Sequence, residues 1–261
     1  MQCDKCRNEA VLFQPSSGRH LCGRHLAADI EIRAKRTIRS HRWMASKDHI
    51  AVIQTGDRKS VALLFFLKKL ITGRRDIRLS AIPAGKDETD GCCPSAVPGV
   101  AGLSGIYPAR IPEPGGHGTA AHDRPNKIAL AVTLDDIASE VLARFLFGNV
   151  ENLICPPHAA VGGIPFICPF IAIPSEELDS YLDYQETGTG PASCPSLQVP
   201  LSREVDALFR DYHNRHPATR FALLNLAEEL SSGNSAGVAA ATRRGIAELP
   251  GISGEVSHDG I

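Results

Sequence analysis

The chain has 261 residues, of which 43% are hydrophobic and 22% are charged, so it can bury a sizeable core and is not globally disordered. Its formal net charge of −1 excludes a uniformly basic nucleic-acid binder, although a local basic face remains compatible with it. No apolar run reaches the roughly 18 residues of a membrane span, and the N-terminus is polar, so we expect a cytoplasmic protein without a membrane segment. In that compartment its eight cysteines are expected to be metal ligands, catalytic thiols or buried thiols rather than disulfides.

The first 26 residues hold two short ligand pairs, in the spacing Cys3-x2-Cys6-x15-Cys22-x2-His25. Zinc prefers four thiolate or imidazole ligands in a tetrahedron, and each pair supplies two of them without long-range strain. The spacing therefore predicts a zinc-binding module at 1–26 with one structural Zn²⁺. Four protein ligands indicate a closed site rather than a catalytic one. The competing interpretation is two unrelated pairs of buried or redox-active thiols.

Residues 27–47 are predicted to form a basic helix that links this module to the rest of the chain. Ile30, Ala34 and Ile38 fall on one face of the helix, as a buried stripe does. The other face carries five cations, Arg33, Lys35, Arg36, Arg39 and Arg42. These cations fit either a solvated surface or a site for the phosphate backbone of tRNA. Trp43, which follows, fits either packing or stacking on a base.

From Asp48 the pattern alternates between strands and helices, which predicts an α/β domain over 48–200. "HIAVIQ" is a buried strand, and a polar turn with one glycine joins it to the apolar helix "KSVALLFFLKKLI". A second strand follows in "DIRLSAIPA", and a third in the segment that begins at Lys127. Asp135 and Asp136 come at the carboxyl end of that third strand, where open α/β sheets bind ligands.

The remaining segments are less regular. Residues 84–126 are rich in glycine and proline, which fits a functional loop or a region that has decayed. Residues 201–230 are predicted to be a helical C-terminal part, with a break at His216-Pro217, and residues 231–261 a flexible tail. Cys155 and Cys168 lie in apolar surroundings and are predicted to be buried thiols.

The order of these motifs resembles a known family. A CxxC…CxxH module and a basic helix are followed by a strand with an S-G-G-K-D-S-like turn, an L-D-D motif that opens a helix, a Cys-Pro, and "RHPATRFALL". This order is similar to that of the tRNA 2-thiolation proteins of the PP-loop ATP-pyrophosphatase superfamily, the group of the TtuA type and its eukaryotic cytosolic relatives. The resemblance covers roughly residues 1–230 and implies a Rossmann-like (HUP-type) parallel sheet.

The resemblance also implies a reaction and its residues. Family members bind ATP in the loop, adenylate the C2 oxygen of a uridine in tRNA, and let sulfur displace AMP. The corresponding ATP-binding positions here are Thr55, Gly56, Asp57, Arg58, Lys59, Ser60, Asp135 and Asp136. Cys194, in the Cys-Pro motif, corresponds to a catalytic cysteine that handles sulfur. The implied partners are tRNA, a ubiquitin-like sulfur-carrier protein and a second copy of the chain.

The chain departs from the family pattern at the reacting centre. Asp57 stands where the family has a glycine, and Lys59 stands where it has an acidic residue. Because Asp57 and Lys59 exchange an acidic and a basic position, together they would restore part of the charge pattern of the family's loop. The alternative is that the turn binds no nucleotide and only joins the strand to the helix. The histidine before the L-D-D motif is gone, and Asp135 and Asp136 fit nucleotide or metal contact as well as simple helix capping. Binding of ATP and Mg²⁺ is therefore left open.

The cysteine pattern argues against an iron–sulfur cluster. Many family members hold a [4Fe–4S] cluster with a CxxC upstream of the L-D-D motif and the later Cys-Pro cysteine. Here residues 104–126 contain no cysteine and Cys92-Cys93 is the nearest pair, so the upstream CxxC is missing, although Cys194 matches the later cysteine. Two functions stay open: an ATP-dependent tRNA-uridine 2-thiolation enzyme, and a catalytically inactive paralogue that binds tRNA or a thiolation partner.

Overall fold

A computed structural model describes residues 1–83, 124–148, 160–161, 164–185, 212 and 215–244. Most of the glycine- and proline-rich segment lies outside these residues, and so do four cysteines that the sequence analysis discusses, Cys92, Cys93, Cys155 and Cys194. No described helix is both long and apolar enough to cross a membrane.

The N-terminal module is a small antiparallel hairpin followed by a long helix. Strands β1 (Leu12–Gln14) and β2 (Arg19–Leu21) pair with each other, and Gly18 supplies the left-handed φ of 66° that the turn between them needs. Helix α1 spans Gly23–Ser40 and starts directly after Cys22, four residues earlier than 27. Its buried stripe contains the predicted Ile30, Ala34 and Ile38. The module therefore continues into the basic helix without a separate linker.

In the part of the chain that the structure describes, the main sheet has five strands, in the order β4-β3-β5-β7-β6. Four of them are parallel, β3 (His49–Gln54), β4 (Arg78–Pro83), β5 (Lys127–Ala129) and β7 (Ile164–Ile167). The two-residue strand β6 (Ala160–Val161) closes one edge antiparallel to β7. The predicted parallel α/β sheet is confirmed. Because β4 lies on one side of β3 and β5 on the other, the strand order reverses at β3 and creates a crevice at its carboxyl end.

Four further helices cover the sheet: α2 (Arg58–Ile71), α3 (Leu134–Phe147), α4 (Ser175–Tyr184) and α5 (Ala218–Arg244). Helix α4 packs on both α1 and α2, and α5 packs on α3. The core between them and the sheet contains the fully buried Phe66, Phe166 and Tyr181. Residues 231–244, which fall in the predicted flexible tail, continue α5, and several alanines there favour a helix, while residues 245–261 lie outside the described residues.

Candidate functional site

The crevice at the switch point collects the predicted nucleotide residues. The turn 55–57 leaves β3 there, the segment 130–133 leaves β5, and α4 begins close by. Gly56 takes the left-handed φ of 83° that this turn requires, and Thr55 and Gly56 are exposed. The fold therefore brings the turn and the L-D-D motif together, as the sequence predicts.

Asp57 caps α2 with its own carboxylate. The backbone N–H of Ser60 donates to Asp57 Oδ1 at 2.8 Å, and the Ser60 hydroxyl donates to the Asp57 carbonyl at 2.9 Å. The first N–H groups of a helix are the groups that bind phosphate in nucleotide loops. One of those donors is therefore already bonded to a negative charge from the chain itself.

Lys59 forms an ion pair with the L-D-D motif. Its Nζ lies 2.7 Å and 3.0 Å from the two carboxylate oxygens of Asp136. Burial by itself would lower the pKa of Lys59, but the charges of Asp136, Asp57 and Asp135 outweigh it and raise the pKa. The lysine that replaces an acidic residue is thus held charged by the carboxylates around it.

The two aspartates of the L-D-D motif act as helix caps. Asp136 closes a capping box with Thr133, whose backbone N–H and hydroxyl both donate to Asp136 Oδ2. Asp135 accepts the backbone N–H of Ser175, the first residue of α4, at 2.7 Å and pairs with Arg220 at 3.0 Å. The capping alternative therefore has direct support.

Arg58 is bonded to α4 by two carboxylates that the sequence analysis did not identify. Its guanidinium donates to Asp179 at 3.0 Å and also to Asp183. Their spacing of four residues on one helix face was the available signal. Arg220, the other missed residue, belongs to the "RHPATRFALL" segment, and its Nε has no hydrogen-bond partner among the described residues.

The charged side chains of the crevice consequently neutralise one another. Arg58 and Lys59 are paired with carboxylates, and Asp57 occupies a helix N–H. A triphosphate would meet no unpaired cation from this turn. Arg58 and Lys59 could contact its phosphates only if they exchanged their carboxylate partners for phosphate oxygens.

The second candidate site is the group of metal-ligand side chains in the N-terminal module. One donor atom from each of Cys3, Cys6, Cys22 and His25 lies within 4.8 Å of all the others. The closest separations are 3.4 Å from Cys3 Sγ and 3.5 Å from Cys22 Sγ to His25 Nδ1, and 3.6 Å from Cys6 Sγ to Cys22 Sγ. Three thiols and one imidazole at these separations fit a single bound metal ion.

Local hydrogen bonds favour the thiolate form of Cys3. Burial opposes its ionisation, but the backbone N–H groups of Cys22 and Lys5 and the His25 side chain lower its pKa to about 6. A thiolate is the form that binds metal. The spacing-based prediction that these four residues converge is therefore supported by their geometry.

Buried polar contacts fasten this module to α4. Gln14 Nε2 donates to Glu177 Oε1 at 3.2 Å and to Asp29 Oδ2 at 3.2 Å. Arg33 donates to Glu177 and, at 2.7 Å, to the carbonyl of Ala172. Burial raises the pKa of Glu177, although Arg33 and Gln14 act in the opposite direction. Because Arg33 is used in this internal contact, it does not stand on an open face as the sequence analysis expected.

The other cations of α1 have different surroundings. On α1, Lys35 Nζ lies 3.6 Å from Glu31, while Arg36 and Arg39 are exposed; Arg42, just after the helix, is exposed as well. Trp43 is only 5% exposed, so of its two predicted roles the structure supports packing. Its ring stacks on His41 with the ring centroids 4.5 Å apart.

The predicted cysteines outside the module divide into two groups. Cys168 is buried, as predicted. The predicted catalytic Cys194 lies outside the described residues. Its sulfur-handling role therefore stays a prediction.

Comparisons with known proteins agree with these features. Residues 2–27 match the family described as 2-thiouridine synthetase TtuA, N-terminal LIM domain. The chain is 23% identical to the tRNA 2-thiolation protein NcsA of Haloferax volcanii, over 88% of this chain and 87% of that protein. Its fold is similar to that of the U34-tRNA thiolase NcsA from Methanococcus maripaludis, with a TM-score of 0.67, 17% identity, and coverage of 89% and 87% of the two chains.

The resemblance to the TtuA- and NcsA-type tRNA 2-thiolation proteins is thereby confirmed. One expectation is wrong. The cysteine pattern predicted zinc and argued against an iron–sulfur cluster, whereas the Methanococcus maripaludis structure that shares this fold holds a [4Fe–4S] cluster. The error has a physical cause, since thiolates bind both zinc and iron–sulfur clusters, and their spacing along the chain does not decide between the two.

Proposed function

We propose that this chain, with its TtuA- and NcsA-type architecture, acts in tRNA uridine 2-thiolation. The observation that carries the proposal is the alignment with NcsA of Haloferax volcanii, which spans 88% of the chain. The alignment therefore includes the α/β domain as well as the metal-ligand module. A match to the module alone would carry less weight, because many unrelated proteins contain such a module.

The proposed reaction activates the uridine C2 oxygen with ATP. The oxygen attacks the α-phosphate, pyrophosphate leaves, and a sulfur nucleophile then displaces AMP to form the C2 thiocarbonyl. Arg58 and Lys59 would neutralise the phosphates after they exchange their carboxylate partners, with Thr55, Gly56 and Ser60 beside them. Asp135 and Asp136 flank the same crevice, and Cys194 is proposed to handle the sulfur. The tRNA is proposed to contact the exposed cations of α1, and a sulfur-carrier protein and a second copy of the chain are proposed partners.

The contacts within the crevice favour one alternative function, a paralogue that binds tRNA without using nucleotide. Its support is that Asp57 bonds to a phosphate-binding N–H while Lys59 bonds to Asp136. In this alternative the fold and the basic surface persist, but the adenylation step is lost.

Calorimetric titration with Mg²⁺ and ATP separates these functions. The matched variant carries Asp57→Gly and Lys59→Asp, which restore the family pattern of the turn. Circular dichroism checks that it stays folded without the Asp57 cap. Micromolar binding by the natural protein supports the enzyme, whereas binding by the restored variant alone supports the paralogue.

A thiolation assay tests the shared part of the proposal. The protein is incubated with tRNA, Mg²⁺, ATP and sulfide under anaerobic conditions, and the tRNA is digested for mass spectrometry. The enzyme predicts 2-thiouridine that disappears when ATP is omitted. Absence of both 2-thiouridine and tRNA binding would contradict a role in tRNA thiolation.

A further inference from the structure

Positive charge is concentrated in one segment of a chain that is nearly neutral. Residues 31–83 contain 13 lysines and arginines but only four aspartates and glutamates, while the whole chain contains 28 and 29. The rest of the chain is correspondingly acidic. Segregation of this kind produces a local positive potential that the net charge conceals.

The fold places many of these cations at the amino ends of the sheet strands, on the edge opposite the crevice. The segment 41–48 leads into β3, and the segment 72–77 leads into β4. Two backbone hydrogen bonds join the segments: Lys47 N–H donates to the Asp76 carbonyl, and Arg78 N–H donates to the Asp48 carbonyl, both at 2.8 Å. The end of α1, the end of α2 and both turns therefore form one continuous surface.

We call this surface the amino-edge basic surface. Its seven cations are all exposed: Arg39, Arg42, Lys47, Lys68, Arg74, Arg75 and Arg78. Only two carboxylates lie on the two turns. Asp48 is buried and pairs with Lys127, and Arg74 bonds to Asp76 and holds the pKa of Asp76 at about 2. The surface thus keeps a large excess of positive charge.

Backbone conformation marks the same place independently. Two non-glycine residues of the described chain have positive φ, Arg42 at 53° and Lys47 at 68°. Residues other than glycine, asparagine and aspartate rarely take this backbone conformation. Both residues are cations, and they flank the short connection that leads into β3. Such strained positions often accompany a binding role.

We propose that the amino-edge basic surface binds the phosphate backbone of RNA, as a second contact region remote from the crevice. The inference rests on the proposed tRNA function and extends it to residues beyond α1, namely Lys47, Lys68, Arg74, Arg75 and Arg78. Arginine and lysine side chains on such a surface contact phosphate without reading sequence. The contacts fix the position of the RNA and leave base recognition to the crevice.

The distance between the two regions suits this division of labour. A strand of six residues such as β3 is about 20 Å long at roughly 3.3 Å per residue, so the surface and the crevice are separated by about that length. A folded tRNA is considerably longer. One arm can therefore lie on the amino-edge basic surface while another part of the same molecule reaches the crevice.

The test compares two double variants of the full chain by fluorescence anisotropy with a labelled tRNA transcript over a range of salt concentrations. Lys47→Gln with Arg75→Gln removes two charges from the surface. Arg7→Gln with Arg19→Gln removes two exposed charges from the metal-ligand module as the matched control. Each phosphate contact contributes about 0.7 to 0.9 to the slope of log affinity against log salt. The test variant should therefore lose about 1.5 from that slope and bind about 10- to 30-fold more weakly at physiological salt.

The outcomes separate this inference from the proposed function. If the natural protein binds tRNA and the Lys47/Arg75 variant binds with the same affinity and slope, the surface assignment is overturned while the tRNA function stands. Equal losses of tRNA affinity in the Lys47/Arg75 variant and in the Arg7/Arg19 control would also overturn the surface assignment, because the affinity would then depend on the total charge of the protein and not on where the charge lies. If the natural protein forms 2-thiouridine but the surface binds only anionic phospholipid vesicles, RNA is the wrong partner. An absence of 2-thiouridine and of any tRNA binding defeats the proposed function itself.

Discussion

Lys59 and Asp136 form an ion pair with a shortest Nζ–Oδ1 distance of 2.7 Å, which joins the start of α2 to the first turn of α3 across the switch point of the sheet. The two side chains are only 19% and 22% exposed. The pair explains how a lysine is tolerated at a position where the resembling family has an acidic residue. An acidic residue at this position would face Asp135 and Asp136 without a cation between them.

The Asp57 side chain caps the amino end of α2 and also places a negative charge there. Two substitutions separate these two effects. Asp57→Ala should lower the free energy of unfolding by about 1 kcal/mol, because Ser60 N–H loses its acceptor. Asp57→Asn should keep the cap and stay within about 0.5 kcal/mol of the natural protein. Urea denaturation measures both values.

The Asp57→Asn variant also tests how the charge of Asp57 affects nucleotide binding. Asp57→Asn should strengthen Mg²⁺–ATP binding by at least about tenfold in calorimetry, since it removes a negative charge from the amino end of α2, where the proposed function places the phosphates. An unchanged affinity would mean that Asp57 does not face the phosphates.

The metal-ligand module makes a prediction about metal content. Cys3→Ser should abolish stoichiometric metal in elemental analysis for both zinc and iron, and it should lower the unfolding temperature, because one of four converging ligands is lost. Cys168→Ala removes a buried thiol outside the module and is the matched control. Equal metal loss in the control would place the ion elsewhere.

The contact between Gly23 and Tyr184 predicts a packing requirement where α1 meets α4. A Cβ at Gly23 would overlap the Tyr184 ring and lie 2.8 Å from its Cγ. Gly23→Ala should therefore destabilise the protein by about 1 kcal/mol despite the better helix propensity of alanine. In a Tyr184→Ala background the same change should cost at least about 0.5 kcal/mol less. Simple additivity in this double-mutant cycle would contradict the contact.

Glu177 gives a prediction about pH. Burial raises its pKa above 4.5 in the folded protein, so folding favours its protonated form. Its contribution to stability is therefore present at low pH and is lost as the pH rises through the raised pKa. The difference in unfolding free energy between the natural protein and Glu177→Gln should decrease from about pH 4 to about pH 7. A difference that grows with pH would show that the Arg33 charge outweighs burial.

The sequence by itself determined the local features of this protein. A continuous apolar run located β3, apolar residues spaced by three or four located α2, and the Asp135-Asp136 pair located the start of α3, because each pattern reflects the burial or the capping of its element. The ligand pairs Cys3/Cys6 and Cys22/His25 were recognisable in the sequence because each pair of metal ligands uses residues close together in the chain. Residues 231–244, predicted as part of a flexible tail, continue α5, since small residues suit a helix as well as a mobile end.

Only the tertiary structure decided the partners of the charged residues. Asp179 and Asp183 come more than 120 residues after Arg58, and Glu177 comes 144 residues after Arg33. No periodicity connects such positions. Electrostatic and hydrogen-bond energies depend on distances in space, and the order of the strands in the sheet sets those distances. The same applies to the amino-edge basic surface, whose cations come from the ends of α1 and α2, from two turns and from the start of β4. The two turns meet because β3 and β4 are neighbours.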